Sequence, residues 1–104
     1  MPGTSPFAQP ASQQETANDP GWKMVLFNDE VTPFDLVVVA VQRVCGLSEE
    51  VAEMIATEAH NQGSAVAKRG LLQEDAVAAC ERLRLLTCIP GRCPGVGCRA
   101  ERDD

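Results

Sequence analysis

The chain has 104 residues, 44% of them hydrophobic, and nine Lys and Arg stand against fifteen Asp and Glu for a formal charge of −6. That suffices for one small domain, which buries only about 60–65% of the surface its unfolded chain exposes. No basic cluster exceeds Lys68-Arg69, so no nucleic-acid partner is expected, and a cationic ligand is the better electrostatic match.

No stretch approaches the roughly 20 apolar residues that a bilayer span requires, and the first residues lack the basic-then-apolar order of a signal peptide. The expectation is a soluble intracellular protein without a membrane partner, cytoplasmic in location, or in the plastid stroma if the source is photosynthetic. Five cysteines, Cys45, Cys80, Cys88, Cys93 and Cys98, are an odd number for a disulfide framework. Reduced thiols are expected.

From Met1 to Gly21 the chain is rich in Pro, Gly, Ser, Thr, Gln and Ala and shows neither helical nor strand periodicity. Such a segment cannot offset its ordering entropy, so residues 1–21 are predicted to be a disordered arm. Trp22 to Phe27 is a short apolar run between Pro20-Gly21 and Asn28-Asp29, which predicts a first strand punctuated by turns. Thr32-Pro33 then opens a helix with Asp35 in its first turn, and Val37, Val38, Val41, Val44 and Cys45 recur at helical spacing until Gly46.

Ser48 followed by Glu49 and Glu50 restates the helix-start signal. Val51, Ile55 and Ala59 are predicted to share one face of this second helix, with Ala52 and Ala56 beside it, before Gly63. Its last turn carries His60. Ser64 to Lys68 reads as a second strand, and Glu74 to Arg84 as a third helix with Ala76, Ala79, Cys80 and Leu83 on its apolar face. Leu85-Leu86-Thr87-Cys88-Ile89 is predicted to be the third strand, and residues 90–104 an irregular, cysteine-containing tail. The order β-α-α-β-α-β, over residues 22–89, predicts an α+β domain with a single layer of helices on a small antiparallel three-stranded sheet.

The chemistry concentrates at two places, Asn28-Asp29-Glu30 after the first strand and His60 near the end of the second helix. The short Gly46-Leu47 connection favours a helical hairpin that would let them meet. An amide oxygen, carboxylates and an imidazole nitrogen can all accept hydrogen bonds from an ammonium group. A free peptide α-amine, with a reference pKa of roughly 7.7–8, would be mostly charged at neutral pH. The same residues are also ordinary turn formers and helix-dipole partners, so the pattern alone leaves both readings open.

The segment Lys23 to Phe34, with Asn28-Asp29-Glu30-Val31-Thr32-Pro33 at its centre, resembles the opening signature of the ClpS family. Glu58 to Val66, with His60, Gly63, Ala65 and Val66, resembles that family's second signature, and the separation between Asn28 and His60 agrees without a gap. The resemblance runs from about Trp22 to Arg84. It implies the fold read above and a non-enzymatic adaptor with no catalytic residues. Such an adaptor binds proteins that begin with a bulky hydrophobic residue (N-degrons) and passes them to a Clp-family AAA+ unfoldase of the ClpA or ClpC type. By position, Asn28, Asp29, Glu30 and His60 would hold the α-amino group. Leu26, Phe27, Thr32, Phe34, Val37, Ala56 and Ala59 would line the pocket for the first side chain. The resemblance also implies a handover role for the arm, and a monomer is expected.

Three residues depart from the family pattern: Glu30 where a second Asp is usual, and Phe34 and Ala56 where Met is common. The alternative is therefore a paralogue of the same fold that binds the unfoldase but has lost or altered N-degron binding. No cofactor or metal is expected. Cys88, Cys93 and Cys98 recur at x₄ spacing, the wide limit for zinc ligands, and Cys45 and Cys80 lie on apolar helix faces where a thiol acts as a small hydrophobe rather than a nucleophile.

Overall fold

The computed structural model describes residues 19–103. The predicted first strand forms as β1, Trp22–Phe27, and it is the central strand of an antiparallel sheet. Helix α1, Phe34–Cys45, ends on Gly46 in the left-handed region at φ 68°. Helix α2, Glu49–Gln62, begins on Ser48, whose hydroxyl accepts from the Val51 N–H at 3.2 Å, and ends on Gly63 at φ 94°. Strand β2, Ser64–Leu71, and helix α3, Gln73–Leu86, follow. A short hairpin of β3, Cys88–Ile89, and β4, Cys93–Pro94, leads to β5, Cys98–Arg102.

The sheet has the order β2-β1-β5. Leu26 lies opposite Ala65 on β2 and opposite Cys98 on β5. Met24 and Leu26 share one face of β1 and are fully buried against the helices, with Val37, Val38 and Val41 from α1 and Leu83 from α3. Val25 points the other way, between Val66 and Arg99 on the neighbouring strands. The α+β architecture of three helices on a three-stranded sheet is as predicted.

Three expectations are corrected. The third strand is β5, not Leu85–Ile89. Helix α3 continues through Leu86 because no glycine or proline stops it after Arg84, and Thr87 ends it by donating both its N–H and its hydroxyl to the Leu83 carbonyl. Leu85 and Leu86 consequently stand on the outer face, 58% and 43% exposed. The tail predicted to be irregular therefore supplies a hairpin and an edge strand, because β1 has backbone groups to pair on both of its sides.

On α2 the buried stripe is Ala52, Ala56 and Ala59, while Val51 is exposed and Ile55 lies at the margin. Small side chains let this helix approach its neighbours closely, and the larger ones are turned outward. Of the predicted arm, residues 1–18 lie outside the described residues. Asp19 to Gly21 are held against β5, since Gly21 accepts from the Asp103 N–H at 2.8 Å and Asp19 pairs with Arg102 at 2.8 Å.

Candidate functional site

The end of β1 is tied on both sides by backbone hydrogen bonds. The Phe27 N–H donates to Gly97 at 2.9 Å, and the Asn28 N–H donates to the Gly63 carbonyl at 3.1 Å. The second bond joins the strand end to the cap of α2, so the last turn of that helix, with His60, stands against Asn28. Gly63 permits this because the chain must turn there with positive φ, a conformation that costs a side-chain-bearing residue.

A single cavity of about 340 Å³ opens at this junction. All eleven residues singled out in the sequence line it: Asn28, Asp29, Glu30 and His60, together with Leu26, Phe27, Thr32, Phe34, Val37, Ala56 and Ala59. Val96 completes the lining and was missed. It lies in the segment read as coil, and its only sequence signal is an isolated apolar residue between Gly95 and Gly97.

Val96 is held by its surroundings rather than by a regular element. Its N–H donates to the buried hydroxyl oxygen of Thr87 at 2.8 Å. Gly95, at φ 105°, packs so close to α3 that a Cβ there would stand 2.4 Å from the Arg84 carbonyl oxygen. The loop thus needs glycine on two counts, conformation and space.

The polar residues at the cavity differ in what they have left to give. Asp29 accepts from the N–H groups of Val31 at 3.0 Å and Thr32 at 2.6 Å, and from the Thr32 hydroxyl at 2.7 Å. Burial raises its pKa, but the Thr32 and Val31 donors outweigh that and hold the carboxyl below its ordinary value. Asn28 donates through Nδ2 to Glu30 at 3.0 Å, which leaves its Oδ1 available as an acceptor. Glu30 and His60 are exposed at the mouth.

The apolar part is built by Leu26, Val37, Ala56, Ala59 and Val96, all buried. Phe34 sits in the first turn of α1 with 40% of its surface exposed. Its ring lines the cavity at the edge of the opening. The guanidinium of Arg99 lies 5.1 Å from the centre of the Phe27 ring, a cation–π contact that holds this ring from the β5 side.

The cysteines of the tail do not converge. Cys88 is exposed, Cys93 is buried with its thiol donating to the Thr87 carbonyl at 3.3 Å, and Cys98 lies beside Cys80. Among the described residues, no group of three His, Cys, Asp or Glu side chains is placed to hold a metal ion, and no helix is long and apolar enough to cross a membrane.

Residues 17–87 match the family model described as ATP-dependent Clp protease adaptor protein ClpS. The chain is 32% identical over 72 residues to the ATP-dependent Clp protease adapter protein ClpS of Aromatoleum aromaticum, covering 69% of each chain. It is 33% identical over 66 residues to the protein of the same name from Deinococcus radiodurans, covering 64% of this chain and 58% of that one. Among solved structures it is similar to Agrobacterium tumefaciens ClpS2 bound to L-phenylalaninamide. That match has a TM-score of 0.70 at 27% identity and covers 78% of this chain and 94% of the other. The cavity at the end of β1 thus belongs to a fold and a sequence pattern that agree, and on both grounds the chain belongs to the ClpS family of adaptor proteins of the ATP-dependent Clp protease.

Proposed function

We propose that the cavity receives the free N-terminus of a protein that begins with a bulky hydrophobic residue, and that the chain delivers such N-degron proteins to a Clp-family AAA+ unfoldase of the ClpA or ClpC type. The observation that carries this reading is the sharing of one opening by a ring of hydrogen-bond acceptors and an apolar slot. An α-ammonium group brings three N–H donors and a positive charge. Asn28 Oδ1, the Glu30 carboxylate and His60 are the acceptors that meet it, and the carboxylate adds the opposite charge. Asp29, whose oxygens are engaged with Val31 and Thr32, shapes the loop that presents Asn28 and Glu30, while His60 comes from the last turn of α2.

The slot takes the first side chain between Leu26, Val37, Ala56, Ala59 and Val96. Its volume is near the lower end of the roughly 300–1,000 Å³ common for ligand sites, which suits one residue rather than a longer segment. L-phenylalaninamide, the compound bound by the similar Agrobacterium protein, offers the same pair of features, a free α-amine and a bulky apolar side chain.

The test is a fluorescence titration with labelled peptides that differ only in their first residue. Saturable binding of Leu-first and Phe-first peptides with none for a Ser-first peptide is expected, and indifference to the first residue would overturn the reading. Delivery is measured separately, as accelerated ATP-dependent degradation of a Leu-first reporter when the chain is added to a ClpA- or ClpC-type unfoldase and its peptidase. No acceleration despite peptide binding would remove the delivery role.

A further inference from the structure

Cys80 lies on the buried face of α3, and Cys98 is the first residue of β5. Their sulfur atoms are 2.8 Å apart across the seam between helix and sheet. A disulfide needs about 2.05 Å between sulfurs, so bond formation asks the pair to close by less than about 1 Å. The other thiols are engaged differently: Cys45 donates to the Met24 sulfur at 3.7 Å, Cys93 donates to the Thr87 carbonyl, and Cys88 faces solvent.

We infer that Cys80 and Cys98 form a reversible disulfide, driven by hydrogen peroxide, that staples the C-terminal strand β5 to helix α3. The oxidant must be small because Cys80 is only 8% exposed. The hydrogen bond shared with Cys98 lowers the Cys80 thiol below its ordinary value against the effect of burial, and the same bond together with burial raises Cys98. The same bond forms whichever of the two thiolates reacts first, and the steps are alike from Cys80. Its sulfur attacks one peroxide oxygen, breaking the O–O bond and releasing hydroxide, and becomes a sulfenic acid. The Cys98 sulfur then attacks the Cys80 sulfur and expels the second hydroxide. The two thiol protons convert both hydroxides to water, the two sulfurs together lose two electrons, and the peroxide gains them. A dithiol reductant reverses the bond by thiol–disulfide exchange.

The closed loop contains Gly95 and Val96, so the staple fixes the wall that Val96 contributes to the cavity, whatever ligand the cavity takes. The experiment uses the reduced full chain, alongside Cys88→Ser to prevent cross-links between chains through the exposed thiol. After peroxide treatment the protein should be lighter by two hydrogen atoms, and on alkylation it should take up two fewer alkyl groups than the untreated reduced protein, with fragment-ion mapping joining Cys80 to Cys98. A loop of this size should raise Tm by about 10 °C or more, and dithiothreitol should reverse both changes. Cys98→Ser should show neither. Full alkylation of both cysteines after peroxide, a sulfinic acid at Cys80 without a cross-link, or a bond that takes in Cys45 or Cys93 would overturn the pairing. A Cys80–Cys98 bond with unchanged Tm would overturn the staple.

Discussion

Both carboxylate oxygens of Asp29 are turned onto Thr32, one accepting its N–H at 2.6 Å and the other its hydroxyl at 2.7 Å. The bond pair closes the turn between β1 and α1, so the segment that carries Asn28 and Glu30 is braced before any ligand arrives.

Asp29→Asn should therefore destabilise the fold by about 0.5–2 kcal/mol near neutral pH, the range typical of lost side-chain caps. The folded-state pKa of Asp29 is lowered from its ordinary value. Its contribution is thus fully present above the unfolded pKa of about 3.9 and is lost as the pH falls through the lower folded value. Urea denaturation of parent and variant across the acid range should show the difference shrinking below about pH 4. A constant difference would mean that the charge has no part in the brace.

On the proposed function, the acceptors at the mouth should contribute to binding and little to the fold. Charge-assisted hydrogen bonds are worth about 1.5–3 kcal/mol, so Asn28→Ala and His60→Ala should each weaken a Leu-first peptide by about tenfold or more. Thermal stability should stay within about 0.5 kcal/mol of the parent, as for surface substitutions generally. Acetylating the peptide removes charge and donors together and should abolish binding. Equal affinity for free and acetylated peptides would end the amine-capture model.

Phe34 sets the shape of the opening. A rigid ring at the edge of the slot should disfavour branching at Cβ, giving at least about tenfold preference for Leu over Ile as first residue. Phe34→Ala should relax that ratio. The comparison requires affinities for Leu-, Phe-, Tyr-, Trp-, Ile- and Val-first peptides on both proteins, and an unchanged Leu-to-Ile ratio would remove the ring from specificity.

Gly95→Ala should be among the most damaging small substitutions. The added methyl would meet the Arg84 carbonyl oxygen at a backbone conformation of φ 105°, and the combined strain should cost about 2 kcal/mol or more. Tm should fall by roughly 10 °C, with peptide affinity reduced because Val96 is displaced. An alanine variant as stable as the parent would show that the loop relaxes freely.

The elements that frame the cavity were legible because their signals are local. Asn28-Asp29 marks the end of a strand, Pro33 the start of a helix, and Gly46 and Gly63 its stops, each written within a few residues of the feature it causes. The missed parts depend on contacts distant in sequence. Cys98-Arg99-Ala100-Glu101-Arg102 contains no β-branched residue, and its place in the sheet rests on pairing with β1. The clue in β1 itself is its unbroken apolar run Met24-Val25-Leu26-Phe27, which fits a central strand flanked on both edges. Leu85 and Leu86 misled for the opposite reason. Their apolar character suggested a strand, yet the helix they extend presents them to solvent.

The pairing of β1 with β5 joins parts of the chain that are far apart in sequence: Asp19 and Arg102 meet across 83 positions. The helical hairpin and β2 can associate with β1 through much shorter loops, whereas β5 must wait for the closure of nearly the whole domain, an entropically slow step. Phe27 acquires its partner Gly97, and the cavity its Val96 wall, only when that step is complete. The expected order of folding follows: Asn28 should meet His60 before Val96 closes the slot, so the proposed discrimination among first side chains should be the last property the molecule gains.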